Sequence, residues 1–124
     1  MIAVDTSSLV AFLCGKRGAD VDQLDRALEL KQVALPPAVV IEILSDASLR
    51  REVTDLITQI PTLDIKEGYW IRAGHTRARV LAKGCKARIA DALIAQSCLD
   101  HQVPLISRDK DFRHFVKVCS LKLL

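Results

Sequence analysis

Aromatic residues are scarce. The 124-residue chain has one Trp, one Tyr and three Phe, 4% in all. Binding of single strands by bases stacked on rows of aromatic platforms is therefore a poor fit. CxxC pairs are missing too. Cys14, Cys85, Cys98 and Cys119 stand apart, and no histidine falls beside them at zinc-ligand spacing. This argues against a zinc module or a disulfide framework and favours free thiols in a reducing cytoplasm. No apolar run approaches the roughly 20 residues that span a bilayer, so no membrane partner is expected. No secretory signal precedes the first apolar run. Repeats, low-complexity tracts and interdomain linkers are lacking as well. The expectation is one cytoplasmic domain over residues 1–124.

What is present is an aliphatic core and a modest positive charge. Half the residues are hydrophobic and the net charge is +3. That balance permits a nucleic-acid partner without demanding one. Short apolar runs alternate with longer helical stretches, the pattern of an α/β fold with a central, mainly parallel sheet. Strands are expected at Ile2–Asp5, Gln32–Leu35, Thr62–Ile65 and Val103–Ser107, with an edge strand in Val116–Leu123. Helices are expected at Thr6–Cys14, Asp20–Lys31, Pro37 to about Ser45, Ser48–Ile60, Glu67–Lys83 and Ala87–His101, with a short one in Asp111–Phe115.

Four acids sit beside apolar runs: Asp5 after Ile2-Ala3-Val4, Glu42 within Val39–Leu44, Asp91 within Ile89–Ile94, and Asp109 after Pro104–Ser107. Each has an ordinary local role. Asp5 suits a helix N-cap, Asp91 a helix start and Asp109 a turn. Taken together, they suit the carboxyl-end rim of a parallel sheet, where α/β sites form. Carboxylates beside apolar runs are costly to desolvate unless neutralised. A shared Mg²⁺ or Mn²⁺, which takes oxygen ligands and keeps several waters, would neutralise them. Asp111 is the alternative to Asp109 as fourth acid. Ser7 and Ser107 are candidate hydroxyls for orienting carboxylates or a bound water, with local capping as the other reading.

An acidic pocket repels a polyanionic substrate, so basic groups must hold any flanking phosphates. Lys86 and Arg88 precede Asp91, and Arg108 and Lys110 bracket Asp109. These four are the substrate-binding candidates. Arg72, His75, Thr76, Arg79 and Lys83 share one face of a helix, read here as solvated.

The four acidic segments resemble those of PIN-domain ribonucleases, and within them the VapC-type toxins of toxin–antitoxin pairs. Ile2–Val10 resembles the opening strand and first acid, and Pro37–Leu44 the helix bearing the glutamate. Ile89–Ala95 resembles the third-acid segment. Pro104–Phe112 resembles the closing motif, in which Ser or Thr precedes the fourth acid by two residues. The resemblance spans nearly the whole chain. It implies a three-layer α/β/α fold and an acidic pocket of Asp5, Glu42, Asp91 and Asp109 that binds Mg²⁺ or Mn²⁺. It also implies endonucleolytic cutting of RNA to a 5′-phosphate and a 3′-hydroxyl, a homodimer, and a cognate VapB-like antitoxin. The competing readings are a haloacid-dehalogenase-like phosphatase and a non-catalytic PIN-like or receiver-like binding module. The phosphatase chemistry wants Asp-x-Asp, whereas this chain reads Asp5-Thr6-Ser7.

Overall fold

The opening apolar run forms β1 (Ile2–Val4), and the other strands pair with it from either side. The computed structural model describes residues 1–124. β2 (Val33–Ala34) pairs in parallel through Ile2–Val33 and Ala3–Ala34. β3 (Leu105–Ile106) pairs in parallel through Ala3–Leu105 and Val4–Ile106. Ala3, Val4, both β2 residues and both β3 residues are buried. Strands covered on both faces read as unbroken apolar runs, as these do. The chain passes from β1 to β2 on one side and later returns to β3 on the other. The carboxyl ends of β1 and β3 therefore flank a point where the winding reverses, and open α/β sheets place ligand crevices there.

Seven helices flank the sheet: α1 (Thr6–Leu13), α2 (Ala19–Glu29), α3 (Pro37–Leu44), α4 (Arg51–Gln59), α5 (Tyr69–Ala82), α6 (Ile89–His101) and α7 (Phe112–Cys119). Pro37 opens α3, where its missing N–H has no partner to lose. α2 packs on β2 and β3, α3 meets α1 and α6, and α7 packs against α5 and α6. α5 and α6 are joined by polar groups whose donors and acceptors match. Arg72 donates to both oxygens of Asp100, at 3.0 and 2.6 Å. Gln96 donates to Asp100 at 2.8 Å and accepts from Thr76 at 2.5 Å. Tyr69 donates to the Leu93 carbonyl at 2.7 Å. Thr76 and Gln96 are thus buried without an orphaned group.

The expected elements differ from the structure in three places. Thr62–Ile65 is no strand beyond a single bridge from Leu35 to Thr62, since Asp64 and Ile65 turn out to solvent. The helix expected from Ser48 begins at Arg51, because the Ser48 amide and hydroxyl both donate to Asp46 Oδ1 and hold a turn there. Val116–Leu123 is not an edge strand. Its first half completes α7, which buries Phe112, Phe115 and Cys119 on one face, and only Leu123 bridges Leu105. The β-branched Val116 and Val118 suggest a strand, but the three- and four-residue spacing of the buried side chains prevails.

Val116→Pro separates the two readings of that segment. Val116 is on the exposed face, so the substitution leaves the core packing intact. A helix interior is expected to lose about 3 kcal/mol or more in urea unfolding, whereas an edge strand tolerates proline.

Candidate metal centre

Asp5 directly follows β1 and caps α1. Its Oδ1 accepts the Ser8 amide at 3.1 Å. Ser7 Oγ lies 2.9 Å from both carboxylate oxygens, and Ser107 Oγ, just past β3, donates to Oδ2 at 2.8 Å. The two serines picked out in the sequence therefore converge on one carboxylate from two strand ends. Asp5 is only 3% exposed. Burial raises its pKa, its hydrogen bonds oppose that rise, and the nearby Asp109 charge adds to it.

Asp91 arrives from the first turn of α6. Asp109 and Asp111 arrive on the loop between β3 and α7. That loop is shaped locally: Ser107 Oγ accepts the Asp109 amide at 3.0 Å, and Asp109 Oδ1 accepts the Asp111 amide at 2.9 Å. One carboxylate oxygen from each of Asp91, Asp109 and Asp111 lies within 4.8 Å of the others. Asp91 Oδ2 is buried and has no hydrogen-bond partner. Burial pushes the Asp91 pKa up to about 6, with Asp109, Asp111 and Asp5 adding to the rise and Arg88 opposing it.

Arg88 faces all three carboxylates. Its guanidinium is 3.8 Å from Asp91 Oδ2, 3.9 Å from Asp109 Oδ2 and 3.4 Å from Asp111 Oδ2. Lys86 Nζ lies 3.6 Å from Asp111 Oδ2. Both are exposed at the rim, so these weak pairings balance charge without closing the site.

Glu42 is not among the three clustered acids. It is exposed, and Thr6 Oγ1, one residue past Asp5, donates to its Oε1 at 2.6 Å. Asp111 joins Asp109 in the cluster rather than replacing it. Arg108 departs from its expected role. It makes a two-point ion pair with Asp20, at 2.8 and 3.0 Å, and donates to the Arg17 carbonyl. Asp20 also accepts from Ser8 Oγ at 2.8 Å, and these donors hold its pKa down near 2. Arg108 thus ties the loop after β3 to the start of α2. A side chain on Gly18 would meet Asp20 Oδ1 at 2.5 Å, so the latch needs glycine there. Lys110 is exposed and pairs with no carboxylate. Thr6 and Asp20 carry no sequence signal, because each works through a residue distant in the chain.

An apolar groove of about 660 Å³ lies elsewhere, lined by Phe12, Leu28, Val33, Leu56 and Ile60. Val33 begins β2, so this groove belongs to the opposite rim of the sheet from the carboxylates. It contains no cluster of acids, and the chemistry is assigned to the acidic rim instead. The donor set there is all oxygen and includes one orphaned buried oxygen, which fits a hard divalent cation. It does not fit a soft metal, since no thiolate or imidazole joins the cluster.

A family model described as PIN domain matches residues 2–118. No curated protein matches the chain. Among solved structures it is similar to FitAcB from Neisseria gonorrhoeae, at 20% identity and a TM-score of 0.72, covering 100% of this chain and 96% of that one. It is similar to FitAB bound to an IR36 DNA fragment, at 20% identity and a TM-score of 0.71, covering 100% and 94%. It is also similar to VapBC-5, of the VapBC family of toxin-antitoxin systems, from Mycobacterium tuberculosis, at 19% identity and a TM-score of 0.71, covering 99% and 96%. At such identities the likeness establishes the fold.

Asp91 has a pH signature. Its pKa stands at about 6 in the folded chain against a usual 3.8. Below about pH 3 it is largely protonated in folded and unfolded chains alike. Between those values the unfolded chain ionises first, so stability falls as pH rises. Well above 6 the penalty is complete, at no more than about 3 kcal/mol once solvent screening is allowed for. Metal-free Asp91→Asn protein is expected to be more stable than wild type near pH 7.5 and to lose that advantage near pH 3. Urea unfolding at the two pH values checks this, and identical stability at both would show that the carboxylate is not desolvated.

Proposed function

The chain belongs to the PIN-domain family, and from that premise we propose that it is a metal-dependent endoribonuclease, the toxin of a type II toxin–antitoxin pair. PIN domains are generally nucleases that bind divalent metals. The observation that carries the reading for this chain is Asp91 Oδ2, buried without a hydrogen-bond partner beside the carboxylates of Asp109 and Asp111. Mg²⁺ or Mn²⁺ is the proposed cofactor, held by Asp5, Asp91, Asp109 and Asp111, with Glu42 at the edge through Thr6. When bound, the ion lowers the pKa of a coordinated water and stabilises charge developing on the phosphate.

The chain's own residues do the rest. Ser7 and Ser107 fix the direction of the Asp5 carboxylate. The Arg108–Asp20 latch fixes the loop that carries Asp109. Arg88 and Lys86 stand at the mouth. Exposed there, both would bind phosphate oxygens of the RNA. A phosphatase of the Asp-x-Asp type is disfavoured, because Ser7 stands where the second carboxylate belongs and its hydroxyl is bonded to Asp5.

The partner we propose is a VapB-like antitoxin. The reading draws support from neighbours described as FitAB and as a VapBC toxin-antitoxin system. The groove at Phe12, lined mostly by apolar side chains, would suit a partner segment. A homodimer belongs to the same proposal, supported by the exposed Trp70 and Ile71 at the start of α5. No helix is long and apolar enough to cross a membrane. The proposed setting is the cytoplasm, with residues 1–124 acting as one nuclease domain.

Structured RNA incubated with purified protein is expected to be cut only with Mg²⁺ or Mn²⁺. Asp5→Asn and Asp91→Asn are each expected to lose at least about 100-fold in rate, several kcal/mol of barrier. Equal cutting by wild type and both variants would defeat the proposal. Arg88→Gln gives a second test by titration calorimetry. Mn²⁺ is expected to bind it several-fold more tightly than wild type, since no guanidinium then competes for the carboxylates. Unchanged affinity would remove Arg88 from the charge balance of the site.

A further inference from the structure

The basic side chains are not spread evenly. Residues 68–90 contain six Arg or Lys and no acid, and residues 112–124 contain three and no acid. Half of the chain's 18 cationic side chains thus lie in two stretches without local neutralisation. The fold brings those stretches together, because α7 packs against both α5 and α6. Where α5 and α7 end they enclose a groove of about 650 Å³, lined by Arg79, Ala82, Lys83, Cys85, Lys117 and Val118. Helix C-termini favour cations, which gives a local reason for basic residues at these two ends.

The cations of the groove have different duties. Arg79 donates to the Val118 carbonyl at 2.7 Å and braces α5 against the end of α7. Arg72 and Arg77 are engaged elsewhere, with Asp100 and the Ala87 carbonyl. Lys83 and Lys117 are exposed and pair with no carboxylate. The chain links the groove to the acidic rim, since Lys86 follows the lining residue Cys85. Lys86 pairs with Asp111, and the Lys86 carbonyl meets His114 Nδ1 at 3.1 Å. Lys117 lies six residues beyond Asp111, about 9 Å along a helix at 1.5 Å per residue.

We propose that the Arg79–Lys83–Lys117 groove holds the phosphodiester backbone of single-stranded RNA beside the cleavage point. This rests on the ribonuclease reading of the acidic site and adds the path of the strand. The carboxylates repel an approaching RNA, and unpaired cations next to them supply the attraction that delivers it. The groove offers no aromatic side chain for stacking and no buried polar group for reading base edges. It therefore positions the strand by its phosphates without selecting sequence.

The test uses full-length Asp91→Asn protein, which does not consume the RNA, with and without Lys83→Ala and Lys117→Ala together. A short fluorescein-labelled single-stranded RNA is titrated by anisotropy at several salt concentrations, and Mn²⁺ affinity of the same lysine pair is measured in the wild-type background. The lysine pair is expected to weaken RNA binding at least about tenfold and to lower the salt slope by about 0.7 for each phosphate no longer neutralised. Mn²⁺ affinity and melting temperature should stay the same. In the single Asp91→Asn variant, RNA is expected to slow alkylation of Cys85, which lines the groove, and not of Cys14, exposed at the end of α1. Equal RNA affinity and slope in both proteins, with cleavage intact in wild type, would overturn the groove and leave the nuclease reading standing. Absence of RNA binding in both, with no cutting by wild type, would overturn both readings. An acidic protein partner displaced by the lysine changes while RNA binding persists would reassign the groove to that partner.

Discussion

Like charges brought together out of water are the constraint on which the rest of this structure depends. Asp91 Oδ2 is buried with no hydrogen-bond partner, and Asp109, Asp111 and Asp5 add charge of the same sign around it. Such a cluster is destabilising on its own. Its neighbourhood is accordingly organised to contain it. The start of α6 favours a negative charge at Asp91. Three hydrogen-bond donors, Ser7, Ser8 and Ser107, serve Asp5. One guanidinium, Arg88, faces three acids. None of these neutralises the buried oxygen fully, and the residual deficit is what a bound divalent ion would remove.

Around that centre the charges divide into separate tasks. Arg108 and Asp20 form a latch between the loop after β3 and the start of α2, and their role is to hold geometry. Arg88 and Lys86 stand at the rim and respond to the charge in the pocket. Lys83 and Lys117 lie farther along, unpaired, where a polyanion can reach them. A net charge of only +3 conceals this arrangement, since it averages an acidic rim against two acid-free stretches. The strand order explains why the pieces meet. β1 lies between β2 and β3, so Asp5 and the loop bearing Asp109 are delivered to one crevice.

Features set by local pattern are legible in the sequence. β1, α1, α3, α6 and β3 follow from apolar runs, a helix-opening proline and helical spacing. Asp5, Asp91 and Asp109 are visible because each interrupts or ends such a run. Ser7 and Ser107 are visible by their nearness to those acids. Features set by distant partners are not legible. Arg108 sits in sequence beside Asp109, yet Asp20, 88 positions away, claims its guanidinium. Glu42 depends on Thr6, 36 positions away. The face carrying Arg72, Thr76, Arg79 and Lys83 looks uniform along α5. Packing splits it, with Thr76 buried against Gln96, Arg72 tied to Asp100 and only the far end left basic and open. The segment from Val116 reads as a strand, yet its first half folds as the end of α7, because β-branched residues occur on exposed helix faces as well as in strands.

The central claim is that the carboxylates at the ends of β1 and β3 and at the start of α6 enclose one shared cation site. Anomalous scattering from a crystal equilibrated with millimolar Mn²⁺ tests it most directly. The account predicts a manganese peak bounded by Asp5, Asp91 and Asp109 or Asp111, with the Arg88 guanidinium moved away from the three acids. Manganese bound only elsewhere, or a crevice that stays empty with Arg88 still against the carboxylates, would contradict it.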